Sequence, residues 1–171
     1  CGYAKSNDTN ESSRIYSTSN GGESWDIVGS GPATNIIKGV VYVSSDVGFF
    51  CYDYVEGMDS NLYKTDDGGK TFAKVMLEEQ EFDSSAANPQ GQETETKTDS
   101  GKNGADSSEQ LRWGDVYKEA LTPVVDSTGI ITIYLTQGKN AVYNDGKTAA
   151  KYQSSDKGST WKYIGQVEIK D

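Results

Sequence analysis

Histidine is absent from this 171-residue chain, which removes the commonest general base and a principal zinc ligand from any account of its chemistry. Arginine occurs only at Arg14 and Arg112. Cysteine occurs only at Cys1 and Cys51, so one disulfide is the maximum. Proline is scarce, 3 residues against 19 glycines, a balance that suits many tight turns. No run of 18 apolar residues is present, so no membrane-spanning helix is expected. Nor is there the apolar core of a signal peptide, so a secreted protein with this sequence is read as a mature or excised form. A basic stripe is missing too. The net charge is -10, and nine acidic residues stand against Lys97 and Lys102 between Glu78 and Gln110, a local balance of -7. That distribution argues against nucleic acid, and none is expected as a partner.

What is present is aromatic and repetitive. Eleven tyrosines and 34% apolar residues suit strands that bury one face. One spacing recurs three times: Thr18, Asn20, Gly22, Ser24, Trp25; then Thr65, Asp67, Gly69, Thr71, Phe72; then Ser154, Asp156, Gly158, Thr160, Trp161. An Asp or Asn in the second position accepts backbone N–H bonds from residues just ahead, and the glycine supplies a positive φ. Each copy is therefore expected to be a hairpin corner. The flanks agree, because residues 14–17, 61–64 and 150–153 alternate on the way in and 25–28, 72–75 and 161–164 on the way out.

These three copies resemble the Asp box, or BNR repeat, of the sialidase-like β-propellers. The resemblance implies an all-β chain of propeller blades, each with four antiparallel strands, the box forming the turn between the third and fourth. It also implies that the box residues are structural. The chain then reads as a single propeller segment over 1–171, with part of a blade at 1–30, lacking its inner strand, and a full blade at 34–77. An acidic, aliphatic-poor insertion follows at 78–110, and another blade at 111–171. Boxes one and two lie 47 residues apart and boxes two and three 89, or 56 without the 33-residue insertion, so no hidden blade is needed. Propellers close with about 4 to 8 blades, so further blades are expected from the same protein or a second copy.

In more detail, strands are expected at 36–44, 48–54, 62–65 and 72–76, then at 122–125, 130–136, 151–154 and 161–167, with a short helix or irregular approach at 111–121. Residues Ile130 to Leu135 read as a buried strand. Box alignment puts Cys1 and Cys51 on equivalent strands of neighbouring blades, too far apart to bridge. The same alignment weakens a second reading, in which Cys1 is the lipid-modified first residue of a bacterial lipoprotein and 6–13 its tether. Asn7 and Asn10 each begin an N-glycosylation pattern.

Candidate ligand residues fall in the loops opposite the boxes: 5–13, 53–60, 78–115 and 137–149. Arg112, Trp113 and Asp115 stand together beside Tyr117, a pattern consistent with a sugar platform or with Trp113 closing over a blade edge; Tyr143 is the aromatic of the last loop. Asp53, Glu56 and Asp59 have calcium-type oxygen chemistry, but their spacing favours a solvated turn. No metal or cofactor is expected. A sialidase clamps its substrate with three arginines and uses Tyr, Glu and Asp; with two arginines that set is incomplete here. The preferred function is a non-catalytic propeller module of an extracellular or cell-surface protein, binding glycan or protein. The alternative is a fragment of a sialidase-like hydrolase whose catalytic residues lie mostly elsewhere.

Overall fold

Alternating side chains on either side of each box pair into hairpins, and the hairpins extend into three antiparallel sheets. A computed structural model describes residues 13–81, 113–138 and 143–169. Cys1, both glycosylation patterns, most of the acidic insertion, Arg112 and residues 139–142 lie outside the described residues. Sheet 1 pairs β1 (Arg14–Ser17) with β2 (Asp26–Ser30). Sheet 2 is a meander of β3 (Ile37–Tyr42), β4 (Gly48–Tyr52), β5 (Leu62–Thr65) and β6 (Ala73–Lys74). A single helical turn, α1 (Trp113–Val116), leads into sheet 3: β7 (Glu119–Ala120), β8 (Val124–Val125), β9 (Ile131–Thr136), β10 (Thr148–Ser154) and β11 (Lys162–Glu168).

Strands β3, β4 and β6 are shorter than expected, and sheet 3 differs in two further ways. The first strand of sheet 3, expected at 122–125, is split into β7 and β8, both paired with β9. Pro123 lies between them and has no amide to offer a ladder. Strand β10 starts at Thr148 rather than Lys151, because Thr148, Ala149 and Ala150 are buried and pair with Glu168, Val167 and Gln166.

The three sheets stack face to face in chain order. Strand β4 lies at the centre and is buried along its whole length. Because side chains alternate across a strand, it serves two cores at once. Phe50 and Tyr52, with Tyr63, pack against Ile15 of sheet 1. Phe49 and Cys51, with Leu62 and Val75, pack against Ala120, Ile131 and Ile133 of sheet 3. Burial of each large side chain contributes roughly 1.5–3 kcal/mol. Strand β9 is buried on one face only: Ile131 and Ile133 are sealed, while Thr132 and Tyr134 remain partly open.

Each box folds as a hydrogen-bonded turn. In the second, Asp67 Oδ1 accepts the N–H groups of Lys70 and Thr71, both at 2.9 Å, and Oδ2 accepts the Thr71 hydroxyl at 2.6 Å. Thr65 Oγ1 donates to the same carboxylate and accepts from the Gly69 N–H at 2.8 Å. Asp156, Ser154, Gly158 and Thr160 repeat the pattern. In the first box the amide of Asn20 replaces the carboxylate. Its oxygen still accepts the Ser24 N–H, but its Nδ2 donates to Ser24 Oγ, so the outer bond runs the other way.

The box glycines do two jobs. Gly69 and Gly158 have φ of +99° and +77°, and each also abuts the preceding sheet. A Cβ on Gly69 would press on Ile15, and one on Gly158 would lie 2.5 Å from the ring of the fully buried Phe49. Gly22 has the same φ as Gly69, but a Cβ there would meet only Trp25 of its own hairpin, at 3.8 Å.

Two outcomes are expected. Gly158→Ala adds overpacking to backbone strain and should cost about 3 kcal/mol, whereas Gly22→Ala incurs strain alone, about 1 kcal/mol, in urea unfolding. The second outcome concerns pH. Hydrogen bonds from the Thr71 and Thr160 hydroxyls, then from their amides, hold Asp67 and Asp156 well below the usual carboxylate range. A depressed folded pKa adds stability that is complete above the unfolded value, about 3.9, and is lost as pH falls through the folded one. Asp67→Asn with Asp156→Asn, copying Asn20, should therefore flatten the acid limb of the stability profile while keeping the fold.

Candidate functional site

Strand β5 runs from Leu62 to the box turn at Thr65, so the loops before β5 and after β6 meet at the opposite end of sheet 2. There the two larger sheets diverge, and α1 with its flanks fills only part of the gap. A cleft of about 550 Å³ remains, bounded by residues 54–62 and 75–79 on one side and by 113–120 on the other. That volume lies within the range of small-ligand sites.

The floor is held by Asn61, which is 1% exposed. Its Nδ2 donates to Ala120 O at 2.9 Å and to Tyr52 O at 2.8 Å, and its Oδ1 accepts the Ala120 N–H at 2.8 Å. One amide thus joins sheet 2 to the first strand of sheet 3. The neighbouring Cys51 thiol donates to Ala120 O at 3.2 Å, and burial pushes it up to about 11. Cys51 is a free thiol, and at neutral pH it is a packed hydrophobe with a weak donor rather than a nucleophile.

Charged groups line the walls. Lys118 reaches across from α1's flank to Glu56 at 3.2 Å, and Lys74 pairs with Asp59 at 2.7 Å. Lys38 takes Asp53 at 2.6 Å. Asp53, Glu56 and Asp59, weighed as calcium ligands, are therefore each turned to a different lysine. Among the described residues no group of acidic or sulfur ligands converges as a metal site. The Lys74 hydrogen bond and charge lower the Asp59 pKa, and the Glu56 hydrogen bond raises that of Lys118.

The candidate aromatics are buried rather than displayed. Trp113 lines the cleft but is 4% exposed, its ring packed between Tyr117 and Tyr163 at centroid distances of 4.7 and 5.2 Å. It closes over the edge of sheet 3 rather than offering a free stacking face. Tyr143 is equally buried. Gln137 clamps its backbone at both N–H and C=O, and the ring meets Tyr117. Asp115, by contrast, is exposed at the cleft wall. Burial pushes the Tyr152 phenol up to about 12, and its hydroxyl donates to Glu78 O, pinning the strand exit beside the cleft.

All three boxes lie at the far end of the strands, with Thr18, Asn20, Gly22, Ser24 and Trp25 on sheet 1, and their polar atoms are spent on turn hydrogen bonds. Sequence reasoning missed Asn61 and Lys118 as cleft residues, while Tyr54 and Glu79 fall in the loops it singled out. It also missed a fourth Asx turn, in which Asp126 Oδ1 accepts the N–H groups of Thr128 and Ile130. The Asp126-Ser127-Thr128-Gly129 run was a legible signal for that turn.

Replacing Asn61 by Ala removes the acceptor of the Ala120 amide and one donor from each of the Ala120 and Tyr52 carbonyls, and should cost about 2–4 kcal/mol in chemical unfolding. Thiol labelling of Cys51, slow in the native protein, should accelerate in the same variant.

No family model, curated protein or solved structure matches this chain.

Proposed function

We propose that the chain is a non-catalytic segment of an Asp-box β-propeller in an extracellular or cell-surface protein, each sheet being one blade, and that it binds glycan or protein through the loops opposite the boxes. Three observations support the blade reading: the shared turn chemistry, the antiparallel sheets, and their stacking in chain order. The binding reading is carried by one, the cleft between sheets 2 and 3 at the end away from the boxes.

The cleft's chemistry narrows the ligand. Glu56, Asp59, Glu79 and Asp115 against Lys118 and Lys74, the partner of Asp59, leave a local balance of -2, which disfavours sugar acids and phosphates. Exposed carboxylates accept hydrogen bonds from sugar hydroxyls, and the side chains of Tyr54, Met58 and Leu77 supply apolar surface beside them. A neutral oligosaccharide satisfies both. A protein loop presenting hydroxyl or basic side chains is the other ligand of this chemistry.

Calorimetric titration with a panel of neutral oligosaccharides tests the proposal. Binding should weaken about tenfold, roughly 1.4 kcal/mol, when Asp115→Asn and Glu56→Gln are combined, because charge-assisted acceptors are lost. Sialylated sugars should bind less well than their neutral counterparts. Binding indifferent to both substitutions, or confined to anionic sugars, would contradict it.

A further inference from the structure

Structural equivalence among the three boxes identifies a surface that the stack leaves open. Tyr16, Tyr63 and Tyr152 each stand two residues before their box, and Trp25, Phe72 and Trp161 each close it. Tyr63 is 8% exposed, covered by Ile15 of the preceding sheet, and Tyr152 is 1% exposed beneath the α1 cluster and Leu77, which leaves the preceding sheet. Trp161 is held edge-on against Phe49 of sheet 2, with 6.0 Å between ring centroids. Among the described residues no sheet precedes Tyr16 and Trp25, which are 44% and 54% exposed; Ile27 beside them is 57% exposed. Gly22 agrees, being the one box glycine with no neighbouring sheet against it.

Sheet 3 presents the opposite open face. Leu121, Tyr134, Ala149, Val167 and Ile169 line a hollow of about 280 Å³ on it. Lys151 pairs with Tyr134 across β9 and β10 and shares that face. It is also the counterpart, three residues before its box, of Ile15 and Leu62, the two side chains that pack onto the next sheet. A cation at that position suits an aromatic pair better than an aliphatic one.

We infer that a second copy of this chain docks head to tail, the Lys151 face of sheet 3 covering the Tyr16–Trp25 face of its partner's sheet 1. This rests on the blade reading above and extends it. Two copies of three sheets make six, within the range of about four to eight that closes a propeller. Both junctions are then identical, and each face is used once.

Sedimentation analysis across micromolar concentrations should give twice the 18.5 kDa chain mass. Trp25→Lys and Leu121→Lys should each return the single-chain mass, and an equimolar mixture of the two variants should associate one to one through its intact junction. Amide exchange at boxes two and three serves as a fold control. As a check independent of any variant, acrylamide quenching of the wild-type tryptophan fluorescence should fall as concentration rises. A wild-type monomer with protected box amides and constant quenching overturns the second-copy inference and leaves the blade reading standing. A dimer lost with Trp25→Lys but kept with Leu121→Lys would be a face-to-face pair, which no ring of blades makes, and overturns both.

Discussion

The bond that the rest of this structure depends on is the one between a box carboxylate and the amides it gathers. Asp67 and Asp156 each fold four residues of chain into a fixed corner, and the hydroxyl two residues earlier locks the carboxylate in place. A corner this tight needs glycine at its apex, and glycine has no side chain to hold a neighbour away. The preceding sheet therefore comes to rest directly on it: Ile15 over Gly69, Phe49 over Gly158. Turn chemistry thus sets sheet spacing, and sheet spacing is what buries β4 on both faces.

Fixing the sheets at the box end leaves their other ends free to differ. Between sheets 2 and 3 the difference is a cleft, because α1 and residues 77–81 fill the gap only in part. Asn61 limits how far the gap can open by tying Tyr52 and Ala120 together in the dry floor. The cleft walls carry solvent-exposed ion pairs, which contribute little to stability and are free to exchange partners with a ligand. A rigid floor and exchangeable walls are what the proposed binding role requires.

Much of the fold was legible, since the boxes mark three hairpins and alternating flanks extend them into strands. Where local pattern ran out, long-range packing decided. Asn61 looks like an ordinary loop residue before a strand, and only the arrival of Ala120, 59 positions later, makes it a buried bridge. Trp113 sits among charged neighbours, which left both a sugar platform and closure over an edge open, and one turn of helix directs it into a cluster with Tyr117, Tyr152 and Tyr163. The run from Ile130 to Leu135 has the composition of a strand covered on both faces. It is sealed on one only, because coverage depends on what stacks against sheet 3 and not on the strand itself. Of the site, Asp115 and the loop 54–60 were legible as cleft residues, whereas Asn61 was not.

The central claim is that each box glycine seats against the sheet before it, and proton–proton contacts measured by nuclear Overhauser spectroscopy test it most directly. The account predicts cross-peaks from the Phe49 ring to Gly158 Hα and from the Ile15 methyls to Gly69 Hα, with Gly158 shifted by the ring current and Gly22 showing contacts only within its own hairpin. Box amides that are protected while both inter-sheet contacts are missing would mean that the turns fold without stacking, and would contradict it.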